Sequence, residues 1–303
     1  MDADYENTPC LVCGLQNDQA FTHKGQFGLP TNVVICRVCG FSYLNPRWTK
    51  QRYDAFYEKE YDLYYRPEII LQNDYNYRYK SIEIILNRIK ERNLNIRYNR
   101  ILDIGSGMGH ALIYLKKNVN PAGSYNAIEP SENCKDYLAK NGINVLSPDV
   151  YSNWDEIHNQ FDFIIMRHVL EHFHEPLEVL KKARRALNEN GMLYIAVPDS
   201  FHPTKPLRSH FFRIVHISYF SKFSLSNLLK KAGLEILELS EGDMHEKSEI
   251  FVFCKKGLDQ DFTPDSRQFE IQKSIYKKAG RYDLYYEIKA VLINILRRIR
   301  LIK

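Results

Sequence analysis

Short runs of β-branched and aromatic residues alternate with segments of helical periodicity between Arg100 and about Lys256. The intervening segments, such as Pro176–Leu187 and Ser224–Ala232, carry residues that favour the start of a helix. Strands and helices that alternate in this way are typical of an α/β domain with a doubly wound, parallel sheet. The predicted strands are Ile101–Ile104, Ser124–Ile128, Phe161–Met166, Met192–Val197, Leu234–Leu239 and Ile250–Cys254.

Composition narrows the class of protein. Of the 303 residues, 44% are hydrophobic and 26% are charged, and no apolar run approaches the roughly 18 residues that span a bilayer. The first ten residues lack the basic start and apolar stretch of a secretory signal, so we expect a cytoplasmic protein without disulfides. The net charge of +5 does not by itself indicate nucleic-acid binding.

Four of the six cysteines form two pairs, Cys10-x-x-Cys13 and Cys36-x-x-Cys39. A glycine follows each pair and permits the tight turn that such a pair needs. Four thiolates at this spacing can complete a tetrahedral shell around zinc and leave no position for water. The pattern therefore predicts a structural Zn²⁺ whose binding stabilises a segment with little core of its own.

These features divide the chain into four predicted regions. Residues 1–48 form the zinc-binding module, and residues 49–98 form a tyrosine-rich, helical lead-in, in which we expect Tyr57 and Tyr61 to contact a ligand. Residues 99–257 form the α/β domain, and residues 258–303 form a basic, amphipathic helical tail.

The tail has an apolar stripe flanked by lysines and arginines. Such a helix can lie on an anionic inner-membrane surface, or it can pack on its own domain or on a second copy of the chain. The sequence leaves these alternatives open. The stripe consists of Leu284, Ile288, Val291, Leu292, Ile295, Ile299 and Ile302.

The main candidate for a cofactor site is the segment Ile101–Gly109, in which an apolar strand enters a glycine loop and a helix begins near His110. Glycines allow the backbone to approach a ligand at the carboxyl end of a strand, where open α/β sheets bind cofactors. The next predicted strand ends at Glu129, about twenty residues downstream, and a carboxylate there can accept hydrogen bonds from two ribose hydroxyls.

The spacing Asp103-x-Gly105-x-Gly107-x-Gly109 resembles the first motif of the class I S-adenosylmethionine-dependent methyltransferases. The resemblance implies a Rossmann-like, seven-stranded methyltransferase sheet with S-adenosylmethionine as the cofactor. It places the methionine part near the glycine loop, the ribose on Glu129, and the adenine near Asp149. The residues implied in cofactor binding are Asp103, Gly105, Ser106, Gly107, Gly109, Glu129, Pro130, Asp149, Val150 and Arg167.

The segment Phe161–His172 resembles the fourth strand and following loop of the same superfamily. Its Leu-Glu171-His172 sequence recurs in small-molecule O-methyltransferases. In some of them, a Glu three residues before the Glu171 position joins the Glu-His pair to hold a metal. This chain has His168 at that position, so the sequence leaves open whether a catalytic metal binds near these residues.

Two flanking segments resemble enzymes of sugar and polysaccharide pathways. One is Asn45-Pro46-Arg47 with the tyrosines that follow it, and the other is the His216–Ser221 segment. Sugar C-methyltransferases carry a Glu-His pair where this chain has Val215-His216, and they have a long C-terminal domain. The missing Glu and the short C-terminal segment favour O-methylation.

The resemblance therefore implies O-methylation of a sugar in a bacterial surface-glycan precursor, in the cytoplasm or at the inner membrane. The basic residues between Pro198 and His216 can bind phosphate or acidic sugar groups of an acceptor, or they can form a solvated basic loop, and the sequence leaves both interpretations open. A histidine can accept the hydroxyl proton near neutral pH. The candidates are His216, His172 and His168, with His216 as the predicted general base or acceptor-orienting residue.

Three other functions remain open at this stage. The chain could be a C-methyltransferase that acts on a nucleotide-linked keto sugar, an RNA methyltransferase with a zinc module, or an inert scaffold that keeps the cofactor fold. Residues 1–39 contain only Lys24 and Arg37 as formal cations, so the zinc module offers no basic platform for RNA, and we do not expect nucleic-acid binding.

Overall fold

The computed structural model describes residues 3–65, 75–151, 154, 157–243 and 246–298, with the backbone alone for 62, 75–78, 287 and 290–298. These residues form a seven-stranded sheet, a four-stranded sheet and a two-stranded ribbon, with helices packed between and around them. Within the described part of the chain, no helix is both long and apolar enough to cross a membrane.

Five short strands build the N-terminal region. β1 (Tyr5–Glu6) pairs with β5 (Arg47–Trp48), while β2 (Asp18–Lys24), β3 (Pro30–Cys36) and β4 (Ser42–Leu44) form an antiparallel meander. The first cysteine pair lies before β2, and the second begins at Cys36, the last residue of β3, and continues in the turn to β4. The glycine after each pair has a positive φ, a conformation that side-chain-bearing residues adopt only with strain.

Three helices occupy the tyrosine-rich stretch: α1 (Lys50–Lys59), α2 (Tyr61–Tyr65) and α3 (Tyr75–Glu91). The side chain of Thr49 caps α1 by accepting a hydrogen bond from the Arg52 backbone N–H. The apolar face of α3 packs on the central sheet, because its isoleucines recur at three-four spacing and are buried there.

The central sheet contains seven strands of the α/β domain. They are β6 (Arg100–Ile104), β7 (Ser124–Ile128), β8 (Asn144–Ser147), β9 (Phe161–Arg167), β10 (Leu187–Pro198), β12 (Leu234–Glu241) and β13 (Glu249–Lys256); β11 (Ser218–Tyr219) belongs to the four-stranded sheet. The helices that follow are α4 (His110–Asn118), α5 (Glu132–Lys140), α6 (Pro176–Ala186), α7 (Lys222–Lys231) and α8 (Arg267–Arg298).

The strand order is β12-β13-β10-β9-β6-β7-β8, so the chain winds outward in both directions from β6. Both faces are covered: Phe163 and Ile165 of β9 enter one apolar cluster, while Ile164 and Met166 enter another. This arrangement confirms the predicted α/β, doubly wound, seven-stranded methyltransferase sheet with a small N-terminal sheet and a C-terminal helix.

Two details of the predicted sheet are wrong. β13 runs antiparallel to both of its neighbours rather than parallel, because a short connection joins it to β12 where a parallel strand would need a long crossover. β8 was not predicted as a strand, since its four residues, Asn144–Ser147, carry little β-branched character.

The C-terminal helix α8 packs on the chain along its first half. Phe269, Tyr276 and Ala279 are buried in the cluster that also contains residues of the N-terminal sheet. Farther along α8, Leu284 and Ile288 of the predicted apolar stripe are exposed. The side chains of its remaining residues lie outside the described part, as do Ile299 and Ile302 entirely.

Residues 199–217, which we call the acceptor loop after the role predicted for them, connect the two sheets. The loop leaves β10 and leads into β11, which pairs with β4 of the N-terminal sheet through Ser218 opposite Tyr43. At its start, the Ser200 hydroxyl bonds to the Gln272 side chain of α8 at 2.9 Å. The acceptor loop is therefore fixed by the N-terminal sheet at one end and by α8 at the other.

Candidate active site and metal cluster

The carboxyl ends of β6, β7, β9 and β10 lie at one edge of the central sheet, because these strands are parallel. β13 begins at the same edge, since it is antiparallel and its Glu249 pairs with Pro198. Most of the predicted site residues follow these strand ends. The topology thus brings together side chains that are up to about a hundred and fifty residues apart in the chain.

The glycine loop after β6 has three glycines with positive φ: Gly105, Gly107 and Gly109. A Cβ at Gly105 would overlap with Val169, and a Cβ at Gly109 would overlap with Leu138. A Cβ at Gly107 would meet no atom within 4 Å. Gly105 and Gly109 therefore serve close packing, whereas Gly107 borders open space in which a ligand can approach the backbone.

Glu129 is buried just beyond the end of β7. One carboxylate oxygen accepts a hydrogen bond from the Gly107 N–H at 2.7 Å, and the other accepts one from the Ser131 N–H at 3.1 Å. A carboxylate has about four acceptor positions, so capacity remains for ligand hydroxyls. These bonds fix the carboxylate against the glycine loop, and Pro130 beside it is exposed.

Asp103 is buried at the end of β6. Burial and the nearby charge of Glu129 raise the pKa of its carboxyl to about 8. The side chain is therefore largely protonated at neutral pH. A positively charged ligand group beside it would favour the ionised form.

The other residues predicted for the cofactor lie at two places along the edge. The Asp149 carboxylate accepts a hydrogen bond from the Tyr151 N–H, and the Val150 carbonyl accepts one from the Trp154 indole. Arg167 instead faces β13, with its guanidinium 3.3 Å from the Glu249 carboxylate. Contact of these residues with a cofactor stays a prediction.

His168 follows β9 with a φ of +54°, and its backbone N–H bonds to the Ala196 carbonyl. Its ring nitrogens lie 2.6 Å from the Glu249 carboxylate and 3.7 Å from the Glu171 carboxylate. Burial lowers the pKa of the imidazole, but the two carboxylates more than offset this and raise it to about 9. His168 is thus held as a cation.

Sequence reasoning missed the partners that hold Glu249. Arg88 of α3 is completely buried and donates hydrogen bonds to Glu249 at 2.5 Å, to Tyr194 at 2.6 Å and to Asp243 at 2.7 Å. The sequence does contain a signal for this contact, because Arg88 is a charged residue on the apolar stripe of α3, three positions after Ile85. A charge on a buried helix face needs a partner.

Glu171, His172 and His216 form a second cluster, which we call the Glu-His-His cluster, and Tyr57 lies beside it. The Tyr57 hydroxyl lies 2.9 Å from His172 Nδ1, and the rings of His172 and His216 are 4.9 Å apart. Burial lowers the pKa of His216 well below its usual range, and the neighbouring His172 adds to the effect. The His216 imidazole is therefore neutral at neutral pH.

Val169 connects this cluster to the glycine loop. It lies between His168 and the short helical turn that carries Glu171 and His172, and it occupies the space that a side chain at Gly105 would need. The structure therefore brings the predicted His172 and His216 together next to the predicted cofactor loop. His168 also approaches Glu171, at 3.7 Å, while its other ring nitrogen is paired with Glu249 of β13.

The acceptor loop carries several basic residues, and some of them are engaged within the chain. His202 Nδ1 lies 2.6 Å from the buried Asp199 carboxylate. Arg213 Nε donates a hydrogen bond to the His210 carbonyl, and the Lys205 ammonium lies over the ring of Tyr282.

The four cysteine sulfurs form a separate cluster in the N-terminal region. Sγ atoms are 3.6 Å apart for Cys10 and Cys39, and 3.6 Å apart for Cys13 and Cys36; all four lie within 4.8 Å of one another. A disulfide would require about 2.05 Å. Zinc–sulfur bonds of about 2.3 Å in a tetrahedron place the sulfurs about 3.8 Å apart. The cluster can therefore bind a metal ion.

A family model described as a methyltransferase domain matches residues 74–239, more than half of the chain. No curated protein matches the sequence. The solved 1,6-didemethyltoxoflavin-N1-methyltransferase of Burkholderia thailandensis is 16% identical, with a TM-score of 0.53 over 72% of this chain and 96% of that chain. A SAM-dependent methyltransferase of Aquifex aeolicus is 22% identical, with a TM-score of 0.46 over 60% of this chain and 98% of that chain.

The matched region contains the glycine loop, Glu129 and the Glu-His-His cluster. The similarity to the Burkholderia structure supports the fold, while its low identity carries no information on the acceptor. The family match and the strand order lead to the same assignment: the chain belongs to the methyltransferase-domain family, as a class I S-adenosylmethionine-dependent methyltransferase.

Proposed function

We propose that the chain transfers the methyl group of S-adenosylmethionine to a hydroxyl oxygen of a carbohydrate acceptor in a bacterial surface-glycan precursor. The observation that carries this proposal is the position of Tyr57, His172 and His216 beside the glycine loop, joined to it through Val169. The carbohydrate is supported by the resemblance of the segments that contain Tyr57 and His216 to sugar-pathway enzymes.

The residues at the strand ends fit the cofactor. Gly107 leaves its backbone open to a ligand, and the Glu129 carboxylate is fixed beside it with acceptor capacity to spare for ribose hydroxyls. Asp103 offers a carboxyl group that a cationic ammonium group would ionise. Together these residues would hold the methionine part and the ribose at the ends of β6 and β7.

When bound, S-adenosylmethionine supplies an electrophilic methyl group on a positively charged sulfur. The chain must align the acceptor oxygen with this methyl group and let the hydroxyl proton leave as the new bond forms. His216 is neutral and lies beside His172, so it can orient the hydroxyl or receive its proton. The cations of the acceptor loop, such as Arg208, would contact phosphate on the acceptor.

The test of this function is to supply methyl-labelled S-adenosylmethionine with lipid-linked and nucleotide-linked glycan precursors, and separately with bulk tRNA and rRNA. We expect label in the carbohydrate, recovered after acid hydrolysis as an O-methyl sugar. A C-methyl sugar would favour the keto-sugar reaction instead. Labelled RNA with strong salt dependence would contradict the carbohydrate proposal, and absence of S-adenosylhomocysteine binding would indicate an inert scaffold.

We also propose that the four cysteines bind a structural zinc ion. Cys10, Cys36 and Cys39 are buried, and four thiolates leave no open coordination position. The cluster is joined to the α/β domain, since the Lys231 ammonium of α7 donates a hydrogen bond to the Val12 carbonyl. Zinc would therefore stabilise the module from which the four-stranded sheet begins.

Replacing Cys36 with Ser should lower the zinc content and the thermal stability of the protein, because one of four thiolate ligands is lost. Elemental analysis and thermal unfolding measure the two effects. Cys134→Ser is the matched control, since Cys134 is a buried thiol outside the cluster and its loss should leave the zinc content unchanged. Wild-type protein without zinc but with normal stability would contradict the proposal.

A further inference from the structure

The Glu-His-His cluster has acceptor atoms that its surroundings leave unsatisfied. Glu171 is 1% exposed, and neither of its carboxylate oxygens accepts a hydrogen bond from a described residue. Its nearest charged neighbour is the His168 ring, whose Nδ1 lies 3.7 Å from one carboxylate oxygen, too far for a hydrogen bond. His216 Nδ1 is also buried without a hydrogen-bond partner in the described part. Buried polar atoms without partners are uncommon in folded proteins, and several of them at one place are typical of a site that binds a water, a ligand or an ion.

The ligand atoms of Glu171, His172 and His216 lie within 4.8 Å of one another. Oxygen and nitrogen ligands on one ion lie roughly 3–3.5 Å apart. The Glu171 oxygen and His172 Nε2 are already 3.9 Å apart, so small side-chain rotations would bring the three atoms onto a common ion.

Tyr57 holds the His172 ring in the orientation that a metal ligand needs. Its hydroxyl lies 2.9 Å from His172 Nδ1, and the other ring nitrogen, Nε2, faces Glu171. A metal-bound imidazole uses one nitrogen for the ion and donates its other N–H to a nearby oxygen, which fixes the tautomer. Tyr57 is thus placed as the partner that such a ligand requires.

We propose that Glu171, His172 and His216 bind one first-row divalent transition-metal cation at the acceptor side of the cofactor site. Two imidazoles and one carboxylate suit Mn²⁺, Fe²⁺, Co²⁺ or Zn²⁺, whereas Mg²⁺ and Ca²⁺ prefer oxygen ligands throughout. Three protein ligands leave coordination positions open. The site is separate from the four-cysteine cluster, which contains sulfur ligands only.

The open positions give the cation a role in binding the acceptor, and this role alone rests on the proposed function. Hydroxyl oxygens of a sugar can occupy them, which would fix the acceptor next to the glycine loop. His216 then orients the acceptor through the ion. Binding of the cation itself does not depend on which acceptor the enzyme uses.

Mn²⁺ binding to the full-length protein tests the proposal, with zinc retained at the four cysteines, because thiolates are poor ligands for Mn²⁺. The loss of the free Mn²⁺ signal in electron paramagnetic resonance gives the stoichiometry and the affinity. We expect one Mn²⁺ per chain at this site, coupling of the bound ion to imidazole nitrogen, and a higher melting temperature with Mn²⁺ than without it.

Glu171→Gln should weaken Mn²⁺ binding at least tenfold and remove the effect of Mn²⁺ on melting, while it keeps the shape of the side chain. His216→Phe, which retains a ring beside His172, tests a second ligand in case the first variant folds poorly. Glu178→Gln is the matched control, because Glu178 is an exposed carboxylate on α6 paired with Lys181. Its Mn²⁺ affinity should equal that of the wild type.

Two results would overturn the proposal. One is wild-type protein that binds no more Mn²⁺ than Glu171→Gln, and the other is bound Mn²⁺ without imidazole coupling. Because these measurements need no acceptor, their failure is distinguishable from failure of the proposed function. If the enzyme labels a carbohydrate but binds no Mn²⁺, the proposed cation site is contradicted and the proposed methyl transfer is still supported.

Discussion

Replacing His216 with Asn should lower methyl-transfer turnover by about 10²–10⁴-fold and leave cofactor affinity nearly unchanged. His216 lies in the acceptor loop with its ring 4.9 Å from that of His172, whereas the predicted ribose contact, Glu129, lies at the end of β7. Steady-state kinetics with labelled S-adenosylmethionine measures turnover, and calorimetry with S-adenosylhomocysteine measures cofactor affinity.

If His216 had only a structural role, its replacement would lower the melting temperature of the protein. Its backbone N–H bonds to the Arg213 carbonyl, and this bond survives the substitution, while Nδ1 has no hydrogen bond to lose within the described part. The melting temperature should therefore change little. His23→Asn serves as the control, since His23 is exposed on β2, where its Nδ1 lies 3.0 Å from the Asn32 side-chain oxygen. A fall in turnover of less than a few-fold would contradict the proposal that His216 orients the acceptor or receives its proton.

Replacing Glu129 with Ala should weaken S-adenosylmethionine binding at least tenfold, which corresponds to about 1.4 kcal/mol. The substitution removes the proposed acceptor for the ribose hydroxyls. It also leaves the Gly107 and Ser131 N–H groups without their present partner, so the glycine loop loses its attachment to β7. Calorimetric titration with S-adenosylmethionine measures the loss.

Glu129→Gln separates the two contributions. The amide keeps one oxygen acceptor for the loop but removes the charge, so its cofactor affinity should fall less than that of Glu129→Ala. The charge of Glu129 and burial together hold the pKa of Asp103 at about 8, so both variants should lower that pKa, as carboxyl-carbon NMR can show. Unchanged cofactor affinity in both variants would place the ribose on another strand.

The sequence was sufficient to predict most of the sheet, for a physical reason. Strands such as β9 are buried on both faces and therefore read as continuous apolar runs that are easy to recognise. β8 lies at the sheet edge and is short, so its four residues carry no comparable signal. The direction of β13 follows from the length of its connection to β12, which an alternation pattern alone does not reveal.

The site was predictable where local motifs specify it. Glycine spacing identifies the loop after β6, and the Glu171-His172 pair is recognisable within its segment. The approach of His216 to His172 was not predictable from spacing, since the two residues are 44 positions apart in the sequence. Their contact depends on the pairing of β11 with β4, which positions the acceptor loop. Long-range contacts of this kind depend on the packing of elements rather than on local pattern.

The pairing of β11 with β4 has a consequence for how acceptor choice can change. The proposed acceptor side of the site is assembled from Tyr57 and from the acceptor loop, which leads into a strand of the N-terminal sheet. The cofactor wall is assembled from β6 and β7. A chimera that exchanges residues 199–219 alone would leave β4 with a foreign partner, whereas exchange together with residues 3–61 would keep both partners of that pairing. If the proposed acceptor site is correct, we expect acceptor preference to transfer with these two distant segments as one unit, while the methyl-donor half remains in place.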